Sequence, residues 1–448
     1  MLTQKNVYFI GIGGIGVSSL AQYYLATNWK VSGSDAVKSE ITDDLKKRGV
    51  RILISPRLTR LGRVDLVIHS VAIKPDHPEL LEAKKLGIKT QLYSEVVGEL
   101  TKKYFTIAVS GSHGKSTTTA LIGLILKEAG LDPTIIIGTK LKELGGTNFL
   151  LGKGQYLVLE SDEYARSFHN YFPKIAVLTN IDKEHLDIYK NLNGVLAGFK
   201  KYLNNIEVDG WVVANKEDEN IKKVLSYKFK FPASSVVWYG KGKHRLFVSG
   251  IHNQFNAEAA WQAVKLLGVK KVIGDKVFGS YEGAWRRMEL IYPNKLTKLK
   301  AKSCIYSDYA HHPTEIKATL QALREKYPKK KLVCVFQPHQ QDRLNRLFKD
   351  FITAFDAADK TILYPLYKVK GRHPSTSLNP ARDKSLGAST VGKTSEELSK
   401  AIRKPEVFYA SSFKNVLKLL VSDLNSDSVI VFMSAGDLDD KVRKHFLK

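Results

Sequence analysis

The 448-residue chain is too long for one ordinary core and predicts two or three domains. Its 43% hydrophobic and 10% aromatic residues are those of a globular protein; two cysteines exclude a disulfide framework, and no apolar run is long enough to span a membrane. The net charge of +26 invites a nucleic-acid partner, but the lysines are dispersed in short clusters such as Tyr327-Pro-Lys-Lys-Lys-Leu332 and no nucleic-acid module appears, so neither nucleic acid nor membrane is expected as a partner.

The chain begins Met1-Leu-Thr-Gln-Lys and runs straight into a strand, which is not the pattern of a signal peptide; with Cys304 and Cys334 both in strand-like runs, a cytoplasmic protein is expected. Val7-Tyr-Phe-Ile10 reads as a short buried strand, followed by Gly11-Ile-Gly-Gly-Ile-Gly16 and a helical pattern through Leu25. A second strand, Lys30 to Gly33, ends at Asp35, an acidic residue nineteen positions past the last glycine. This is a βαβ nucleotide-binding opening. A nicotinamide dinucleotide or any nucleotide with a pyrophosphate would suit it. Val64 to Ser70 adds a strand and Pro78 to Leu86 a helix, so residues 1–103 read as one small α/β domain.

Residues 104–288 read as a second domain, opened by the strand Ile107 to Val109 and the turn Gly111-Ser-His-Gly-Lys-Ser116, with a helical run from Ala120 to Ala129. A strand, a glycine turn ending in Lys-Ser and a helix describe a phosphate cradle. Backbone N–H groups at the helix start bind phosphate oxygens, Lys115 reaches the outer phosphates, and the Ser116 hydroxyl can ligate Mg²⁺. Only two residues separate Gly111 from Gly114, fewer than in the common phosphate loop. Two further strands, Tyr156 to Glu160 and Ile175 to Thr179, end in Glu160-Ser-Asp-Glu163 and Asn180-Ile-Asp-Lys-Glu-His-Leu-Asp187. Strand ends of a parallel sheet face one crevice, which would gather Ser116, Glu160 and His185 around a metal. Strands follow at Trp211 to Ala214 and Val236 to Tyr239. Gly250-Ile-His-Asn-Gln-Phe-Asn256 then precedes an alanine-rich helix running to Leu267, and the adjacent Arg286 and Arg287 suit a phosphate clamp or a surface pair.

Residues 289–448 read as a third α/β segment after the lysine-rich Lys295 to Lys302. A strand, Ser303 to Ser307, runs into Asp308-Tyr-Ala-His-His-Pro-Thr-Glu315, with Pro313 at the first helical position. Leu332 to Phe336 leads to Gln337-Pro-His-Gln-Gln-Asp-Arg343, Leu366 to Ser399 reads as a polar loop with a lid role, and Val429 to Met433 runs into Ser434-Ala-Gly-Asp437.

Taken together, these residues resemble the Mur ligases over essentially the whole chain. The resemblance implies an α/β protein of three domains: a Rossmann-like N-terminal domain, a central P-loop-type ATPase domain with a parallel sheet, and a Rossmann-like C-terminal domain. It is strongest to the members that join L-alanine to UDP-N-acetylmuramate through an acyl phosphate. It therefore implies ATP as co-substrate, Mg²⁺, a role in peptidoglycan precursor synthesis, and a monomer or weak homodimer. By the same resemblance Gly11, Gly13, Gly14, Gly16, Ser18, Asp35 and Ser70 would bind the UDP-sugar. Gly111, Ser112, His113, Gly114, Lys115, Ser116, Thr117, His252, Asn253, Asn256, Arg287 and Asp308 would bind ATP; Ser116, Glu160 and His185 would hold the metal. Tyr309, His311 and Arg343 would meet the amino acid, with Lys115, His185, His311 and Arg343 acting in catalysis.

The chain also departs from the family. Gln340 follows Phe336-Gln-Pro-His339 where an arginine is common, the stretch between Tyr239 and Ile251 is short, and residues 366–395 match poorly. Glu160 to Tyr164 has the form found in siblings that attach a recycled peptide to the same sugar, which keeps that activity as an alternative. An NAD-dependent oxidoreductase, suggested by Gly11 to Asp35, is the alternative of a different class.

Overall fold

A computed structural model describes residues 4–55, 61–292, 303–367 and 392–447. The lysine-rich stretch Lys295 to Lys302 and the greater part of the expected polar loop lie outside the described residues. The described end of that loop is not irregular: it enters a helix, Ser395–Ala401, whose first turn is capped by the Thr394 hydroxyl accepting from Glu397 N–H. Two compact units are formed, one from Met1–Arg245 with Phe255–Tyr281 and the other from Leu246–Gln254 with Glu282–Lys448.

The first unit holds two sheets. Strands β1 (Asn6–Ile10), β2 (Lys30–Asp35), β3 (Arg51–Ile54), β4 (Leu66–His69) and β5 (Lys89–Leu92) form an all-parallel sheet in the order β3-β2-β1-β4-β5. The helix after β1 is Ile15–Ala26, directly behind the first glycine turn. Strands β6 (Phe105–Ser110), β7 (Thr134–Leu141), β8 (Thr147–Leu150), β9 (Tyr156–Glu160), β10 (Ile175–Leu178), β11 (Trp211–Asn215) and β12 (Val236–Tyr239) form the second, in the order β12-β11-β10-β6-β9-β7-β8. Ile107, Ala108, Val109, Leu157, Val158 and Val177 are fully buried, as expected for central parallel strands covered on both faces. Only the β7–β8 edge pair of this sheet is antiparallel.

Side chains tie the two sheets' layers together. Gln22 of the helix Ile15–Ala26 donates to Asn148 Oδ1 (2.8 Å), and Asn148 donates back to the Ile15 carbonyl (2.5 Å) and to Ser18 Oγ (3.1 Å). Thr147 donates to Gln22 Oε1 at 2.6 Å. Lys140, on β7, lies 2.7 Å from both Glu40 and Asp44 of the helix Glu40–Lys47.

The second unit is built on one sheet of β13 (Glu289–Tyr292), β14 (Cys304–Asp308), β15 (Lys331–Gln337), β16 (Lys360–Leu363), β17 (Glu406–Tyr409) and β18 (Ser428–Ser434). Its order is β13-β14-β18-β15-β16-β17, parallel except for β13. The helix Pro313–Lys326 follows β14 with proline at its first position, as its sequence predicts.

Candidate active site

The cradle is built at the end of β6, where its two neighbours β9 and β10 also end. Gly111 (φ 138°) and Gly114 (φ 83°) take backbone conformations that L side chains rarely adopt. A Cβ on Gly111 would stand 2.1 Å from Thr179 Oγ1, and one on Gly114 would stand 2.3 Å from Asn256 Oδ1, so both neighbours require the missing side chain. The loop is pinned from β10's end. Asn180 accepts from Ser112 N–H through its carbonyl and from His113 N–H through Oδ1, both at 2.9 Å, while Thr179 Oγ1 donates to the His113 carbonyl at 2.7 Å. The helix begins at Lys115, five residues earlier than its apolar run suggests, and extends to Glu128. The amides of Lys115, Ser116 and Thr117 therefore open a helix and have no carbonyl of that helix to reach, the arrangement that binds phosphate oxygens.

Lys115 Nζ folds back over this loop. It donates to the Gly111 carbonyl (2.7 Å), the Ser112 carbonyl (3.4 Å) and Glu163 Oε2 (2.9 Å), with Asp162 at 3.7 Å. Burial works against the ammonium, but Glu163, Asp162 and Glu160 outweigh it and hold Lys115 above its ordinary range. Ser116 Oγ donates to Glu160 Oε1 at 2.9 Å, and Gly138 N–H to Glu160 Oε2 at 2.7 Å. Burial pushes the Glu160 carboxyl up, and Lys115 opposes that shift. His185, in a left-handed backbone conformation (φ 53°), turns its Nε2 to within 3.7 Å of Glu163 Oε1.

The expected trio is thus split into two contacts: Ser116 with Glu160, and His185 with Glu163. Asp162, Glu163 and His185 each offer a ligand atom within 4.8 Å of the others. Glu163 is 1% exposed, and its Oε1 has no hydrogen-bond partner among the described residues. A buried, unsatisfied carboxylate oxygen among hard oxygen donors and an imidazole suits a divalent cation such as Mg²⁺. In the sequence Glu163 stood out only as one member of an acidic cluster. Gly138 carried no signal.

The first glycine turn differs. Gly11 has φ 79°, and Gly13 donates its N–H to Asp35 Oδ2 at 2.8 Å, so close that a Cβ on Gly13 would lie 2.8 Å from the same oxygen. Val37 N–H donates to the other Asp35 oxygen at 3.1 Å. Gly14 precedes the helix as its N-cap residue, and a Cβ on Gly16 would stand 3.2 Å from the Tyr93 ring. Ser18 is buried and donates to the Ile15 carbonyl (2.8 Å), so it points into the protein; Ser70 Oγ accepts from Ala72 N–H (3.2 Å) at the end of β4.

His252, Asn253, Arg287, Asp308, Tyr309, His311 and Arg343 all belong to the second unit, whereas Asn256 belongs to the first. The sequence suggests that the polar run Gly250 to Asn256 precedes its helix. Instead the helix starts at Ile251, because Gly250 (φ 116°) makes the break and Asn253 Nδ2 donates back to the Ser249 carbonyl at 2.9 Å. Burial pushes the His252 imidazole down to about 4. The arginine pair has divided roles. Arg286 is buried against Asp439 (3.4 Å) and donates to the Ser434 and Gly436 carbonyls, whereas Arg287 reaches Glu315 at 3.2 Å beside the Tyr309 ring.

Asp308 accepts from Met288 N–H and Ala310 N–H, each at 2.7 Å, and burial lifts its carboxyl to about 6 despite Arg287. His311 Nδ1 lies 2.9 Å from the Tyr309 carbonyl. A carbonyl only accepts, so Nδ1 carries a proton, and the same nitrogen lies 3.2 Å from Glu315 Oε2. Arg343 is buried beside His339, whose ring stacks on Tyr367 at 5.7 Å. Gly436 leaves room for that tyrosine, since a Cβ there would stand 2.5 Å from its ring. Tyr367 lies inside the segment that reads as loop in the sequence, where nothing marks it.

Comparison with known proteins covers the chain from end to end. Residues 6–105 match the Mur ligase family, catalytic domain; residues 109–273 match the Mur ligase middle domain; residues 286–436 match the Mur ligase, glutamate ligase domain. The chain is 39% identical to the UDP-N-acetylmuramate–L-alanine ligase of Aquifex aeolicus, over 99% of this chain and 97% of that one. It is 36% identical to the enzyme of the same name from Caldicellulosiruptor saccharolyticus, over 97% of each. Among solved structures, the UDP-N-acetylmuramate–alanine ligase of Thermotoga maritima superposes with a TM-score of 0.78 at 25% identity, covering 98% of this chain and 97% of that one. A murein peptide ligase of Psychrobacter arcticus shares the fold, with a TM-score of 0.68 at 21% identity over 99% and 98%.

Proposed function

The chain belongs to the Mur ligase family, and on that premise we propose that it is the ATP-dependent ligase joining L-alanine to UDP-N-acetylmuramate. The observation that carries this reading is the 39% identity over nearly the full length to a ligase of that name. We assign residues 1–103 to the UDP-sugar, 104–288 to ATP and 289–448 to the C-terminal domain, divisions supported by the places where the three family segments meet.

A carboxylate is a poor acyl donor, because an amine attacking it must expel an oxide. Transfer of the γ-phosphoryl group of ATP to the sugar's lactyl carboxylate turns that oxygen into part of a phosphate leaving group. Lys115 and the first amides of the helix Lys115–Glu128 hold and orient the transferred group, a task of positioning and charge stabilisation. Ser116, Glu160 and His185 would hold Mg²⁺, with the Glu163 carboxylate beside them; when bound, the ion neutralises phosphate charge. His252, Asn253, Asn256, Arg287 and Asp308 complete the ATP set, and the turn Gly11 to Gly16 with Asp35 takes the UDP pyrophosphate. At the acceptor end, Arg343 and Tyr309 orient the amino acid, and His311 Nε2 takes the proton that alanine's ammonium must lose before it attacks. The amine then displaces phosphate through a tetrahedral intermediate.

Among the described residues no helix is long and apolar enough to cross a membrane. A cytoplasmic site of action and a monomer or weak homodimer complete the proposal. Phosphate release should require ATP, UDP-N-acetylmuramate and L-alanine together; release that ignores the sugar nucleotide would overturn it. Faster turnover with a tripeptide than with L-alanine, L-serine or glycine would assign the chain to the peptide-adding siblings instead.

A further inference from the structure

The reaction as described leaves Glu163 without a distinct task, yet it is the most deeply buried acid of the site. Its backbone is fixed, since Tyr189 OH donates to the Glu163 carbonyl at 2.7 Å. One carboxylate oxygen accepts from Lys115 at 2.9 Å; the other has no hydrogen-bond partner among the described residues and stands 3.7 Å from His185 Nε2. An ammonium has three hydrogens, and those of Lys115 are directed to the Gly111 carbonyl, the Ser112 carbonyl and Glu163. The two carbonyls belong to the loop itself. A phosphate oxygen that claims Lys115 therefore displaces Glu163.

Displacement leaves a carboxylate at 1% exposure without its cation and next to an incoming polyanion. Uncompensated buried charge is among the costliest features a site can hold. Asp162 and His185 stand with Glu163 in a group whose ligand atoms lie within 4.8 Å of one another, and a divalent cation there restores the lost positive charge. We infer that Glu163 is an exchange residue, paired with Lys115 in the arrangement described and with a divalent cation once a phosphate has taken the ammonium. Nucleotide and divalent cation then bind cooperatively, because each removes the penalty of binding the other. Glu163 is on this account a positioning and coupling residue, and the inference rests on the assignment of the loop to ATP.

The test is equilibrium binding of ATP to the full chain, with excess Mg²⁺ and with the cation chelated. The wild type should bind about thirtyfold more tightly with Mg²⁺. In Glu163→Gln the neutral amide no longer competes for Lys115, so metal-free affinity should rise about tenfold and the gain from Mg²⁺ should fall to about threefold. Glu163→Asp keeps the charge and should keep most of the metal dependence. Should the glutamine variant fail to fold, judged by its UDP-sugar affinity, Glu163→Thr carries the same expectations. An unchanged gain from Mg²⁺ in the neutral variants, or weaker metal-free binding, overturns the exchange while leaving the ATP assignment intact. No ATP binding by the wild type under either condition overturns the assignment and the exchange together.

Discussion

Two strand–glycine–helix turns in one unit, Gly11 to Gly16 and Gly111 to Ser116, solve the same backbone problem and surround it with different charged groups. Each is served by a carboxylate that accepts a glycine amide, Asp35 from Gly13 at 2.8 Å and Glu160 from Gly138 at 2.7 Å. The first turn has no cation of its own, and both oxygens of its acid hold backbone. The second brings an ammonium against a cluster of three acids. A glycine turn supplies the room for a phosphate; the neighbouring side chains decide whether that phosphate is merely held or is transferred.

Removing the cation should separate the two turns most sharply. Lys115→Ala is expected to lower kcat by a factor of about 10³ or more, while the dissociation constant for the UDP-sugar stays within about twofold, as steady-state kinetics and calorimetry would read. A large loss of UDP-sugar affinity would mean that the turns do not serve different substrates. Gly111→Ala attacks the backbone instead: at φ 138° with Thr179 Oγ1 2.1 Å from the added carbon, it should cost about 3 kcal/mol of stability and depress the thermal midpoint of the first unit. Both turns lie in the first unit, so a titration in the second provides a control. His252 is pushed from 6.5 to about 4, and a depressed histidine favours folding above its unfolded pKa. That contribution, about 3 kcal/mol, is complete above pH 6.5 and lost as the pH falls through 4; His252→Gln should flatten it in denaturant titrations. The smallest effect is expected at Asp35→Asn, which should raise the KM for UDP-sugar by about fivefold and leave kcat alone.

The parts of the fold that the sequence announced are those buried on both faces. The centres of β6, β9 and β10, residues 107–109, 157–159 and 175–178, are unbroken apolar runs, as strands buried on both faces of a parallel sheet require, and the turns that follow them carry glycine or clustered acids. Edge strands such as β3, β5 and β17 are partly exposed, are four residues long and pass for loop. The start of the helix Ile251–Lys265 was misplaced since His252 and Asn253 look like caps, and only the backbone at Gly250 shows that the break comes earlier. The phosphate cradle and its strand-end acids were legible from spacing. Which acid faces Lys115 was not, because that depends on the 3₁₀ path after β9 that turns Glu163 inward.

The hydrogen bonds joining Gln22 and Ser18 to Asn148 fasten the helix behind the first turn to β8 at the edge of the second sheet, and the Lys140 ion pairs fasten the helix Glu40–Lys47 to the neighbouring β7. On the proposed assignment of the two glycine turns to sugar nucleotide and ATP, the interval between them is therefore set by contacts inside one compact unit. It works as a ruler. On that assignment, a sugar nucleotide anchored by its pyrophosphate would present its carboxylate to the cradle only if the intervening sugar spans that interval.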